Sequence, residues 1–150
     1  MRISAKADYA VRASLELAAA DGPVKGDALS EAQAIPLKFL ENILIELRQA
    51  GIVRSQRGPE GGYWLGRSAA EVSVADVIRA VEGPLASVRG ESPEDLEYKG
   101  SAARLQDVWV ALRANLRAVL ETVTLADVVG KGLPKDVQRL TKTPEAWLRR

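Results

Sequence analysis

The spacing of the apolar residues changes once in the first half of this 150-residue chain, and that change limits its fold. Up to Gly51 the apolar residues recur at helical spacing, which predicts helices over residues 5–20, 27–33 and 36–50. After Gly51, residues 52–57 and 63–65 have the pattern of two strands around the glycine-rich turn 58–62. Three short helices followed by a hairpin are therefore expected.

Local signals set the ends of these helices. Ser4 is expected to cap the first helix, and Asp27 the second, whose core contacts would be Ala28 and Leu29. Pro36 suits the first position of the third helix, where its missing N–H is not needed. This order of elements is that of a winged helix-turn-helix, so the fold is expected to be mostly α.

The second half is dominated by one long apolar repeat. Ser73 is expected to cap a helix over 74–81, and residues 84–101 are expected to form a loop or a partly ordered linker. Residues 102–123 then form a heptad seam, which predicts a dimerisation helix. The residues predicted for the dimer interface are Leu105, Val108, Trp109, Leu112, Leu116, Val119, Leu120 and Val123. The tail 131–150 is either a docked arm, anchored by Trp147, or disordered.

Two absent residue types exclude several functions. The chain has no cysteine and no histidine, which excludes disulfides, Ser–His and Cys–His catalysis, and zinc or iron–sulfur sites with those ligands. The acidic pair Glu94 and Asp95 lies in a polar loop, where solvated charge explains it better than catalysis. We therefore expect neither an enzyme nor a metal site.

Charge and hydropathy indicate the kind of partner. Twenty-one lysines and arginines against 20 acidic residues give a net charge of +1, which excludes a histone-like binder but allows a locally basic surface. The start of the chain has no signal-peptide pattern, and no apolar run approaches the roughly 18 residues of a membrane span. A cytoplasmic protein without membrane contact is expected.

The third helix and the hairpin carry the side chains that suit DNA. Lys38, Glu41, Asn42 and Arg48 have the chemistry of major-groove contacts, although a solvated helix face would have the same composition. Arg54 and Arg57 flank the glycine-rich turn. Arginine at such a tip can enter a minor groove or hold phosphate, whereas an ordinary hairpin would leave it solvated. The glycines do not match a nucleotide-binding P-loop.

Three segments resemble the Rrf-type family of bacterial transcription regulators: MRISAKADYAVRASLELA, IPLKFLENILIELRQAGIVRSQRGPEGGYWLGR and VADVIRAVEGPL. The resemblance continues more loosely through VWVALRANLRAVLETVTLADVV. It implies a homodimer that binds a pseudo-palindromic operator, as a repressor by family habit. The implied organisation is a winged helix-turn-helix over 1–84, a loop over 85–101, a dimerisation region over 102–130 and a tail over 131–150.

The resemblance also implies roles for individual positions. Base reading falls to the third helix, the minor groove to Arg57, and phosphate contact to Lys6 and Tyr9 of the first helix. The glycines and Tyr63 shape the hairpin. The implied DNA-binding residues are Lys6, Tyr9, Pro36, Lys38, Phe39, Glu41, Asn42, Arg48, Arg54, Ser55, Arg57, Gly58, Gly61, Gly62 and Tyr63.

One departure from the family concerns its cofactor. Cluster-binding members carry three cysteines before the dimerisation helix, and some relatives use a histidine and an N-terminal carboxylate. Here Asp8 has neither residue type to join it, so no cofactor is expected. The chain resembles the cluster-free branch, which a partner enzyme or a small molecule regulates. The alternative is a dimeric protein-interaction module that regulates a partner enzyme without specific DNA binding.

Overall fold

A computed structural model describes residues 1–150, with the side chain of Lys131 left out. Helices α1 (Ala5–Ala19), α2 (Gly26–Gln33) and α3 (Leu37–Gln49) come first. Ser4 caps α1 as predicted, because its side chain accepts a hydrogen bond of 3.0 Å from the Ala7 amide.

The start of α2 differs from the sequence prediction. The N-cap is Lys25, whose carbonyl accepts from the Leu29 amide at 3.0 Å, so the helix begins before Asp27. The Asp27 carboxylate accepts only from its neighbour Ala28, at 3.0 Å, and the prediction of an Asp27 cap is wrong. Leu29 is fully buried as predicted, whereas Ala28 is exposed because it lies on the outer face of the helix.

The core lies between α1, α3 and helix α4 (Val74–Glu82). α3 buries one complete face against α1 and α4, and α4 begins in a capping box in which Ser73 and Asp76 exchange two hydrogen bonds of 3.0 Å. The buried residues of α3 are Leu40, Ile43, Leu44 and Leu47, none more than 1% exposed. Since these four residues fill this face, the other side chains of α3 lie outside the core.

The hairpin consists of β1 (Val53–Gln56) and β2 (Gly62–Leu65), which pair antiparallel with Val53 opposite Leu65. The α1–α2 connection pairs with the outer side of β2, because Val24 and Tyr63 exchange backbone hydrogen bonds of 2.9 and 2.8 Å. A side chain at Gly62 would place its Cβ 2.8 Å from the Val24 carbonyl oxygen, so only glycine fits there. The hairpin is therefore fixed to the helical unit.

Residues 84–101 are more ordered than a linker, with short 3-10 turns at Pro93–Asp95 and Gly100–Ala102 and with Pro93 and Leu96 buried. Helix α5 (Leu105–Leu120) follows, shorter than the predicted 102–123. It ends early because the chain turns back and the Val123 carbonyl accepts from the Val74 amide at 2.9 Å. Leu125 then packs, fully buried, in the core of the helical unit.

The tail folds locally, after a π-helical turn at Asp127–Lys131, into α6 (Lys135–Thr141) and a 3-10 turn at Pro144–Trp147. Trp147 is 76% exposed, and its indole N–H donates to the Thr141 carbonyl at 2.6 Å. Its contact is thus within the tail rather than with the body of the protein. None of the helices in the described part of the chain is both long and apolar enough to cross a membrane.

Candidate nucleic-acid interface

The outer face of α3 presents polar side chains opposite its buried face. Lys38, Glu41 and Asn42 are all exposed, in the first two turns of the helix. Pro36 is the N-cap rather than the first helical residue, because helical geometry begins at Leu37. These three side chains are placed as a recognition helix would place them, with its N-terminal turns free to enter a major groove.

A groove of about 630 Å³ separates this face from α1. Its walls include Lys6 and Tyr9 of α1 and Phe39 and Asn42 of α3. The Lys6 ammonium donates to Glu46 Oε1 at 2.9 Å across the groove, and Glu46 Oε2 has no hydrogen-bond partner among the described residues. The Lys6 ammonium is therefore already paired with a carboxylate and would have to leave it, or share it, to contact a phosphate.

Tyr9 stands in a second polar cluster on α1. The guanidinium of Arg12 lies 4.9 Å from the centre of the Tyr9 ring, in a cation–π arrangement. Arg12 also donates to Asp8 at 2.9 Å and to the Gln33 carbonyl at 2.6 Å. Asp8 is thus held in an ion pair within its own helix.

The two faces of the hairpin separate the predicted arginines. Side chains alternate along a strand, so Ser55 and Arg54 of β1 project to opposite faces. Ser55 accepts from Arg48 of α3 at 2.9 Å, which places its face toward the recognition helix. Arg57, just after the strand, lines one cavity with Arg48 and Ser55 and so lies on the α3 side, whereas Arg54, opposite Trp64, does not.

The glycines make the tip narrow. The Gly61 amide donates to the Gly58 carbonyl at 3.0 Å, and Gly58 has a φ of +107°, which favours glycine. A Cβ at Gly61 would lie 2.0 Å from the Gln56 carbonyl oxygen. The Tyr63 ring lies beside Gly26 and is half-buried. These residues shape the tip, and Arg57 beside it is exposed.

A basic cavity of about 330 Å³ lies between the start of α2, the end of α3 and the hairpin. All the charged side chains that line it are cations, namely Lys25, Arg48 and Arg57. The Lys25 ammonium donates to the Gly58 carbonyl at 2.5 Å. Sequence reasoning missed Lys25 because this contact joins residues 33 positions apart. In the sequence, Lys25 is marked only by its place two residues before the predicted cap Asp27.

The predicted dimer seam lies on α5, and no residue of that helix is buried within the protomer. Val108 is 54% exposed, and the others on the helix are half-buried: Leu105, Trp109, Leu112, Leu116, Val119 and Leu120. Val123 lies beyond the helix and is only 6% exposed, so its surface is already covered within the protomer. Trp109 donates to the Tyr98 hydroxyl at 3.0 Å.

The loop before α5 is tied to it by charge. Glu94 pairs with Arg113, and its pKa is lowered from the ordinary value, first by a hydrogen bond to its own backbone and then by Arg113. Gln106 also donates to the Glu94 carbonyl at 2.9 Å. The loop in this chain is therefore held to α5 by polar contacts.

Comparison with known proteins places this surface in a family. Residues 3–131 match the family described as "Rrf2: Iron-dependent Transcriptional regulator". A protein of Mycobacterium tuberculosis named as a candidate HTH-type transcriptional regulator is 56% identical over 142 residues, 93% of this chain and 88% of that protein. The HTH-type transcriptional regulator IscR of Yersinia pseudotuberculosis is 37% identical, over 86% of this chain and 79% of its own.

Solved structures agree. CymR, the global cysteine regulator of B. subtilis, superposes with a TM-score of 0.73 at 32% identity, covering 88% of this chain and 98% of its own. T. potens IscR gives a TM-score of 0.69 at 30% identity, covering 100% and 93%. The predicted resemblance, the mostly α winged fold and a regulatory rather than enzymatic function are confirmed. The chain belongs to the Rrf2 family of DNA-binding transcription regulators.

Proposed function

We propose that the protein is a sequence-specific repressor that binds a pseudo-palindromic operator as a homodimer. The observation that carries this proposal is the basic cavity between α3 and the hairpin tip, lined by Lys25, Arg48 and Arg57. When a helix occupies a major groove and a hairpin the adjacent minor groove, one sugar-phosphate strand runs between them. A cavity lined by three cations is suited to that strand.

In this arrangement base reading falls to α3. Lys38 can donate to guanine, Asn42 can pair with adenine and Glu41 can accept from the cytosine amino group. Lys25 and Arg48 contact phosphates, which fix the register of the protein without carrying sequence information. Arg57 enters the minor groove beside the narrow glycine tip, where a negative potential attracts arginine.

The homodimer is proposed to form through α5. A helix of 16 residues without a single buried side chain has an apolar stripe that its own protomer covers only in part. The stripe follows a heptad repeat, the spacing that packs two helices together. Two protomers joined in this way present two copies of α3, which matches the symmetry of a pseudo-palindromic site.

Iron does not fit this chain. The family description names iron, yet the chain has no thiolate or imidazole to hold it. The described residues also contain no group of three carboxylates, histidines or cysteines placed to bind a metal. We therefore propose regulation by a small molecule or a partner enzyme instead of a cluster.

Selection of genomic DNA by the purified protein tests the proposal. Enrichment of one pseudo-palindromic sequence, bound in a gel shift by a dimer, is the expected result. Increased transcription from the adjacent promoter on deletion of the gene would identify a repressor. Failure to enrich any sequence, with the fold intact by circular dichroism, would favour the interaction-module alternative. When the selection succeeds, the genes beside the selected sites would indicate the chemistry of the co-regulator.

A further inference from the structure

Two large apolar side chains stand on the polar face of the recognition helix. Phe39 is 61% exposed and Ile45 is 46% exposed. Neither is needed for the core, since four other residues already fill the buried face of α3. Leaving two large apolar side chains in water gains no stability, because burial of apolar surface is the favourable process. Their position therefore indicates a partner that offers an apolar contact.

Phe39 and Ile45 lie on either side of the Asn42 side-chain amide on the surface of α3. Asn42 lies three residues after Phe39 and three before Ile45, so the three side chains are neighbours along the helix surface. All three line the same groove beside α1. The surface therefore consists of one amide, able to donate and accept hydrogen bonds, between two apolar groups.

The cations at the two ends of α3 favour a polyanion over a second protein, and the carboxylate that lines the groove, Glu46, is paired with Lys6. Lys38 lies on the same face, one turn before Asn42, and the cavity with three cations adjoins the other end of α3. In a major groove an asparagine pairs with adenine, and the apolar groups available are the 5-methyl groups of thymines. The major groove of a nucleic-acid duplex offers both kinds of partner.

We propose that Phe39 and Ile45 read thymine 5-methyl groups beside the adenine contacted by Asn42. This inference rests on the proposed function and adds to it a class of operator sequence, with thymines close to that adenine in each half-site. Lys38 and Glu41 then set the remaining positions through hydrogen bonds, while the apolar row excludes cytosine, which lacks the methyl group.

Deoxyuridine substitution tests the proposal, because deoxyuridine pairs like thymidine but has no methyl group. The full-length protein first selects its operator from a randomised duplex pool. Each thymidine of that operator is then replaced singly, and dissociation constants are measured. Loss of one methyl contact is expected to weaken binding roughly fourfold, the effect of burying one methyl-sized group, at one or more positions of each half-site.

Variants assign the effect to side chains. Phe39→Ala or Ile45→Ala should abolish the thymine-to-uracil difference at its own position, and Phe39→Leu should keep part of it. Leu140→Ala removes another exposed apolar side chain, on α6, and should keep the full difference. Circular dichroism confirms the fold of each variant.

The possible results of these experiments distinguish a failure of methyl reading from a failure of the proposed repressor function. Tight operator binding that is indifferent to uracil at every position would overturn the methyl-reading role and leave the repressor proposal standing. A uracil effect that survives at the same operator position in both alanine variants would also overturn it, since another group would then sense that methyl. Failure to select any operator would overturn both proposals.

Discussion

The ammonium group of Lys25 donates a hydrogen bond of 2.5 Å to the carbonyl oxygen of Gly58, and so joins the N-cap of α2 to the hairpin tip. Two further N–H donors of that ammonium remain for other acceptors. Lys25 thus has the geometry to position the hairpin and to contact phosphate at the same time.

Replacing this lysine should weaken DNA binding in a salt-dependent way. Lys25→Met keeps an apolar stem and removes the charge, and we expect about a tenfold to hundredfold loss of operator affinity per contact, since hydrogen bonds to charged groups contribute about 1.5–3 kcal/mol. The slope of log affinity against log salt should become shallower by about one per protomer. Gel shifts at several salt concentrations measure both, with Lys142→Met in the tail as control. An unchanged slope would remove Lys25 from the phosphate contacts.

The two arginines of the hairpin should behave differently. Arg57→Ala should cost about 1–3 kcal/mol per contact and relax base preference where the minor groove is entered. Arg54→Ala is the matched control, because it removes the same charge from the opposite face of the same hairpin. Affinity and preference are read from competition with mutated operators. Equal losses in both variants would show that only net charge matters.

Glu46 should restrain nonspecific binding. Its carboxylate holds the Lys6 ammonium at 2.9 Å, with both side chains partly exposed. Glu46→Gln should free Lys6 for phosphate and raise affinity for unrelated DNA about twofold to fivefold, the range of an exposed ion pair. Fluorescence anisotropy with a random duplex measures this, and Glu145→Gln in the tail serves as control. Unaltered affinity in Glu46→Gln would place Lys6 away from the phosphates.

Charge on the α5 seam should separate the protomers. Leu112→Glu combined with Leu116→Glu places two carboxylates in the proposed interface, and sedimentation should then report monomers. Val110→Glu adds a carboxylate to the same helix outside the predicted seam and should stay dimeric. A dimer that persists in the double variant would locate the interface elsewhere.

The purified protein should be colourless. Anaerobic purification, followed by incubation with ferrous iron and sulfide, is expected to give neither visible absorption nor stoichiometric iron, because the chain offers no thiolate or imidazole. A charge-transfer band with bound iron would contradict the donor-set argument.

Sequence predicted best the features that neighbouring residues determine. The Ser73 cap depends on Asp76, three residues away, and the face of α3 follows from its own periodicity. The end of α5 was missed because the heptad pattern runs on to Val123, while a backbone bond to Val74 turns the chain back. Periodicity carries no information about a partner 49 residues away, and the Lys25 contact escaped for the same physical reason.

The return of the chain after α5 has a mechanical consequence. Leu125 is buried in the core that holds α3, and the Leu125 amide donates to the Val72 carbonyl at 2.9 Å. The segment that contains α5 is therefore held to the core at both of its ends, by α4 before it and by Leu125 after it. In the proposed dimer, the packing of the two α5 helices therefore fixes the distance between the two recognition helices. That distance in turn sets the spacing of the two half-sites that the protein can bind.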